Sequence, residues 1–311
     1  MISGVSSMTD RADGDQLDQF RWYVNERFRI LMRRMSGDNP PWTDSVELQA
    51  HRFCNTFRLC DRGSQEIIEI LNSIDLSTTS EIDDLAIAFA YRKSNYSDGW
   101  KTAISRFGVP DAKNIADWLR ECDRSEVQLS TSRAYNVCNG LPTGSTIVGA
   151  LADTIEHILD DGTLQRVIGE SYQNQISILC GIDRVGPFIA QQILADYGYG
   201  RSGYDRCEDR GITAGPGSIR GLRWLLPDER IVPGEYTNYL ITVVHDWLMS
   251  GEHPILTVGE YQHDMTLMDT QNCLCEFDKL NRIRSGKGFR RAYHQSDVRE
   301  IREIVVPRSW R

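Results

Sequence analysis

Apolar residues recur along this chain at helical rather than strand spacing. Leu17, Phe20, Val24, Phe28 and Leu31 form an i, i+3, i+4 stripe that runs to Gly37, placed as a helix-ending glycine. Asp38-Asn39-Pro40-Pro41 breaks the pattern. Asp44-x-x-Glu47 has the form of a capping box and predicts a helix through about Leu59. Further helices are predicted over about Ser64–Ser73, Ser80–Tyr91, Ser97–Phe107, Asp111–Cys122 and Arg124–Val137. After the break Gly140-Leu141-Pro142-Thr143-Gly144 come Ser145–Leu159, Thr163–Cys180 and Pro187–Tyr197. Between Gly198 and Gly221 seven of 24 residues are glycine, the texture of a functional loop. Helical spacing resumes at Pro216–Leu225 and Tyr236–Ser250, and Thr257-x-x-Glu260 opens a last stretch ending near Arg284. Ile304-Val305-Val306 is the one strand candidate, and neither repeats nor low-complexity segments occur. The pattern predicts an all-α protein.

Composition sets the scale. The chain has 311 residues, 40% hydrophobic and 25% charged, enough for one large or two smaller cores. The breaks suggest a flexible tail (1–16), an N-terminal helical lobe (17–140), a second helical lobe with the Gly-rich loop (141–290) and a basic end (291–311). No run of eighteen apolar residues predicts a membrane span, and the polar first sixteen residues do not read as a secretory signal. The eight cysteines are scattered and no C-x-x-C occurs, so reduced thiols in a cytoplasmic protein are expected, without a metal site. Net charge is −9, which weighs against nucleic acid. Residues 279–311, however, hold ten Lys/Arg against three Asp/Glu, while 1–278 hold 25 against 41. The basic end could meet phosphates or be a solvated tail.

The most informative stretch is Leu179-Cys180-Gly181-Ile182-Asp183-Arg184-Val185-Gly186-Pro187-Phe188-Ile189-Ala190. A helix ends, a tight turn follows, and a second helix starts on Pro187, whose missing N–H costs nothing there. Free N–H groups at Arg184, Val185 and Gly186 could hold a DNA phosphate. The stretch resembles the helix-hairpin-helix motif of base-excision DNA glycosylases. Ile182, Val185, Gly186 and Ala190 match its usual form. Arg184 replaces the first hairpin glycine. Phe188 stands where bifunctional members carry a Schiff-base lysine, which implies no lyase route. An ordinary helix–turn–helix corner is the competing reading.

Four further segments extend the resemblance: Asn39-Pro40-Pro41-Trp42-Thr43-Asp44, His51 to Arg62, Ala214-Gly215-Pro216-Gly217-Ser218-Ile219-Arg220-Gly221, and Leu274-Cys275-Glu276-Phe277-Asp278-Lys279. In this order, with the hairpin, they resemble the alpha-glutamyl/putrescinyl thymine pyrophosphorylase family, which includes the helical domain of phage hydroxymethyluracil DNA kinases. The resemblance implies a helix-hairpin-helix, DNA glycosylase-like fold of two helical lobes with a cleft between them. It implies double-stranded DNA carrying modified bases as partner, and a monomer. It needs no cofactor, though a structural monovalent cation at the hairpin would fit. No P-loop and no fused kinase domain are found, so the chain should not make an activated phosphorylated base itself.

Base excision needs an everted base and a carboxylate that orients water or stabilises the oxocarbenium-like sugar. The resemblance places an aspartate about twenty residues after the hairpin; Asp205 and Asp209 bracket that point, and Asp209 is the candidate. Asn272, Glu276 and Lys279 fall on one helical face and offer a carboxylate beside an ammonium, or a surface ion pair of little energetic weight. Asn55, Arg58, Asp61 and Arg62 interrupt an apolar segment. Asn55 could read a base edge and Arg58 could hold a phosphate, or the group could be an internal ion-pair network. Trp42 could stack on a base or pack against its prolines. Gly215, Gly217, Ser218 and Arg220 form an anion-ready helix start. The resemblance, taken with these residues, implies three candidate functions. The first is a monofunctional glycosylase excising a hypermodified pyrimidine, such as glucosylated 5-hydroxymethylcytosine, in antiphage defence. The second is an amino-acid:DNA transferase displacing pyrophosphate from a 5-pyrophosphoryloxymethyl base. The third is a non-catalytic DNA-binding module.

Overall fold

A computed structural model describes residues 11–75, 77, 79–130, 146–200, 208, 211–287 and 303–310. Among them are thirteen α-helices and one two-stranded hairpin, so the protein is all-α. The chain divides into two compact units, Met1–Asp61 with Ile212–Ile304, and Arg62–Gly211 with Val305–Arg311. These boundaries differ from the sequential lobes 17–140 and 141–290: the first unit is closed by elements far apart in sequence.

In the first unit, α1 (Gly14–Met35) carries the predicted stripe and is capped by Asp13, so residues 14–16 belong to a helix rather than to a tail. α2 (Val46–Ala50) is capped by Ser45. It stops at Ala50 instead of reaching Leu59, and only Arg58–Cys60 form a further 3-10 turn. Side chains take the backbone groups that a helix ladder would have used. Arg27 donates to the carbonyls of Cys54 (3.1 Å) and Phe53 (3.0 Å), Lys279 to that of Arg52 (2.9 Å), and the amide of Arg58 donates to Asp269 (2.6 Å). A backbone so satisfied has no need of regular structure.

α11 (Pro216–Leu225) and α12 (Glu235–Met249) pack with the last long helix, α13 (Leu267–Arg284). The capping box of α13 is Thr266/Asp269, not Thr257/Glu260. Residues 255–264 instead form the antiparallel pair β1 (Ile255–Val258) and β2 (Tyr261–Asp264). Gly259, at φ 60°, supplies the turn, and Leu256 faces the core opposite His263. Phe20 and Phe277 meet edge to face at 5.3 Å at the centre of this unit.

The second unit is built on α4 (Glu81–Ser94), which is buried nearly all round. α3 (Arg62–Ser73) and α7 (Ile147–Asp160) pack on it, α5 (Ser97–Phe107) meets it where Trp100 touches Tyr91, and α6 (Ile115–Arg124) packs on α7. The helix expected over Thr163–Cys180 is two, α8 (Thr163–Val167) and α9 (Tyr172–Cys180), separated where Gly169 takes φ 82°. α10 (Pro187–Tyr197) completes the hairpin with α9. Inside the unit Arg92 grips Asp196 through two 2.7 Å hydrogen bonds. Helix α6 ends at Arg124, so no helix starts there; residues 131–137 of that expectation lie outside the described residues. Ile304-Val305-Val306 is not a strand. Its backbone is held by side chains, with Val305 exchanging hydrogen bonds with Gln65 and Val306 accepting from Asn72. Among the described residues, no helix is long and apolar enough to cross a membrane.

Candidate active site

Two consecutive backbone amides in the irregular segment 51–57 each hold a carboxylate. The amide of Cys54 donates to Glu276 Oε2 (3.1 Å), and that of Asn55 donates to Asp61 Oδ1 (2.8 Å). Glu276 comes from the middle of α13 and Asp61 from the end of the 3-10 turn. The backbone of 54–55 therefore brings together two acids 215 positions apart in sequence. Lys279 Nζ pairs with Glu276 Oε2 at 2.6 Å and lies 5.0 Å above the Phe53 ring. The Asn55 side chain donates to the Cys60 carbonyl (2.7 Å) and closes the loop that presents Asp61.

The electrostatics follow from this crowding. Burial pushes the Asp61 carboxyl up to about 6, opposed by the Asn55 amide and assisted by the Glu276 charge. The Cys54 thiol is pushed well up by Asp61 and then by Glu276, although Cys54 is exposed. Cys275 rises to about 11 through burial and then Glu276. Burial, then Glu276, likewise pushes the Tyr23 phenol well up. These neighbours register a local negative potential with a carboxyl that titrates near neutrality, the condition for moving a proton.

The predicted residues divide clearly. Glu276, Lys279, Asn55 and Asp61 converge. They do not share a helix in the way expected of 55–62, since Asn55 and Asp61 meet through a loop and Arg62 starts α3, where it pairs with Asp98. Arg58 is buried at 3% exposure and is engaged within the protein; its charge lowers the Asp61 carboxyl. Asn272 is half-buried on α13, one turn before Glu276. Trp42 lines a separate cavity of the same unit, and its indole donates to the Asp38 carbonyl (2.7 Å). Asp205 and Asp209 lie outside the described residues.

The helix start at Gly215 is more closed than its sequence suggests. Ser218 is 1% exposed and its hydroxyl donates to the Gly215 carbonyl. Gly217 faces α13, where an added Cβ would stand 2.1 Å from Cys275 Sγ. Arg220 is tied to Asp278 (2.9 Å), a 1%-exposed acid that also accepts from Arg282 and Trp224. The hairpin is at the surface of the second unit: Arg184, Gly186 and Pro187 are exposed and Val185 is buried beneath. Arg184 adopts φ 58°, the left-handed conformation that suits the glycine it replaces. Its carbonyl, which a monovalent cation at the hairpin would seek, accepts from the Lys93 ammonium (3.0 Å). Among the described residues, no group of three His, Cys, Asp or Glu is placed to hold a metal ion.

Sequence reading missed Arg27, Cys54 and Asp278. Arg27 left a signal, because it occupies a core-facing position of the α1 stripe between Val24 and Leu31 and is 5% exposed. Residues 15–288 match the family described as 5-hmdU DNA kinase, helical domain. No curated protein and no solved structure matches the chain.

Proposed function

The chain belongs to the 5-hmdU DNA kinase, helical domain family, and from that membership we propose that it processes a modified pyrimidine base in DNA. The expected kinship with hydroxymethyluracil DNA kinases is met; the pyrophosphorylase and antiphage attributions reach further than the family does. Within this reading the first activity is hydrolysis of the N-glycosidic bond. The observation that carries it is the pair of carboxylates on adjacent amides, one of them titrating near 6. A water would attack C1′ of the sugar, the C1′–N1 electrons would leave with the base, and the water proton would pass to Asp61. Glu276, fixed by Lys279, would stabilise the positive charge that develops on the sugar. The exposed hairpin residues Arg184 and Gly186 would grip the backbone of the duplex, since the Val185 amide, expected to be free, donates to the Ile182 carbonyl (3.1 Å).

Mass spectrometry of bases released from DNA carrying 5-hydroxymethyl or glucosylated pyrimidines tests this reading. Free base and uncleaved abasic strands are expected, with at least a hundredfold loss in Asp61→Asn and Glu276→Gln. Intact modified DNA after prolonged incubation with the unsubstituted protein would refute hydrolysis. The negative potential around Glu276 favours one second reading, in which an ammonium is attracted, deprotonated by Asp61 and attacks the 5-methylene carbon. Pyrophosphate release that requires an added amine would identify that transfer.

A further inference from the structure

The first unit contains a cavity of about 350 Å³ that the carboxylate pair does not use. Its wall is chemically one-sided. Arg27, Arg34 and His51 contribute to it, and among the described residues no Asp or Glu does. Arg27 is only 5% exposed, yet it makes no ion pair among the described residues. Two of its nitrogens donate to the carbonyls of Cys54 and Phe53, which leaves Nη1 without an acceptor among the described residues. Nδ1 of His51, also on this wall, is buried without a partner. A guanidinium without a counter-charge attracts an anion, and an unsatisfied buried imidazole nitrogen is costly unless an outside group completes it.

The remaining wall carries two aromatic rings among apolar side chains such as Ile30, Pro40, Pro41 and Leu48. Trp42 lies beneath the Arg34 guanidinium at 5.4 Å, and Phe53 faces Arg27 at 6.0 Å. The two rings offer faces on which a planar group can stack, while the guanidiniums take an anion. The volume is at the small end of ligand sites, of order 300–1,000 Å³, so it suits one ring and one compact anion rather than a large cofactor. The cavity also adjoins the carboxylate pair, because Phe53 carries Lys279 as well as Arg27, and the Arg27 charge is felt at Asp61.

We propose that this cavity binds a pyrimidine nucleotide, its ring against Trp42 and Phe53 and its phosphate on Arg27, Arg34 and His51. The choice of a pyrimidine rests on the proposed function; the need for a ring joined to an anion rests on the cavity alone.

Titration calorimetry of the full chain with thymidine 5′-monophosphate, thymidine and inorganic phosphate tests the inference. The nucleotide should bind at least tenfold more tightly than either part. Trp42→Ala and Arg34→Gln, both at half-buried positions, should each weaken it at least tenfold with an unchanged melting temperature. Arg27→Lys should weaken it too, and its melting temperature reports whether the 53–54 carbonyls are still held. Undetectable nucleotide binding at millimolar concentration, equal binding by both half-buried variants, or phosphate binding as tightly as the nucleotide would each overturn the proposal. Assay of the same preparations on modified DNA separates the two ideas. Base processing without nucleotide binding sinks the cavity assignment alone; nucleotide binding without processing sinks the proposed function alone.

Discussion

In the proposed function, Asp61 is the residue on which chemistry and stability pull in opposite directions. Its carboxyl ordinarily titrates at 3.8 and is raised to about 6 in the fold, chiefly by burial. Below 3.8 it is neutral in both folded and unfolded chains and folding gains the full benefit. As pH rises through about 6 the folded protein must ionise a crowded group, and that benefit is lost. Two pH units correspond to about 3 kcal/mol at most, which partial exposure of Asp61 reduces to ~1 kcal/mol. Asp61→Asn keeps an oxygen for the Asn55 amide and removes the ionisation cost. Urea unfolding should therefore show it about 1 kcal/mol more stable than the unsubstituted protein at pH 7.5, with the gain shrinking by pH 4.5. A variant equally destabilised at both pH values would show that burial is not what raises Asp61. Stabilisation together with inactivity is the mark of a group kept for function.

The packing of α11 on α13 fixes where Glu276 and Lys279 stand, and two glycines make it possible. A Cβ on Gly221 would fall 2.2 Å from the Leu274 carbonyl oxygen, and one on Gly217 would fall 2.1 Å from Cys275 Sγ. Leu274 and Cys275 directly precede Glu276, so a shift here moves the carboxylate. Gly221→Ala, which meets backbone, should cost about 2–3 kcal/mol, and Gly217→Ala, which meets a side chain that can turn, about 1 kcal/mol. Thermal melting ranks them; equal and negligible losses would mean the helices separate freely. Gly186 at the hairpin is the opposite case. Among the described residues nothing lies within 4 Å of an added Cβ, and its φ is −84°. Gly186→Ala should leave the melting temperature within about 1 °C, its effect on stability being only tenths of a kcal/mol. If the turn docks on a phosphate, the same methyl stands in the ligand's way and lowers DNA affinity severalfold in a gel-shift titration. Unchanged affinity would remove the hairpin from the interface.

At the scale of the whole molecule, the proposed function requires an acidic chain of net charge −9 to meet a polyanion through local charge. The segment 279–311, with ten Lys/Arg against three Asp/Glu, is where that charge is concentrated. Replacing Arg290, Arg291, Arg299 and Arg302 with glutamine should flatten the dependence of log affinity on log salt, by up to about 0.9 for each phosphate these arginines neutralise. A slope unaffected by all four changes would exclude these arginines from the interface.

Helical class, most helix positions and the surface hairpin were legible in the sequence, because they depend on neighbours three or four residues apart and on turn chemistry. Pro187–Tyr197 and Pro216–Leu225 fell where their first proline and apolar spacing put them. Glu276 and Lys279 were legible as a pair for the same reason. The segment 51–57 was not. Its apolar and polar residues carry helical spacing, but Glu276, Lys279 and Arg27 bind its backbone from distant parts of the chain and hold it extended. Periodicity reports which side chains a segment would bury; it carries no record of side chains elsewhere that compete for the segment's N–H and C=O groups. That competition creates the carboxylate pair, raises Asp61 and leaves Arg27 facing a cavity. The candidate chemistry of this protein is therefore decided in tertiary structure, on a helical frame that local sequence already dictates.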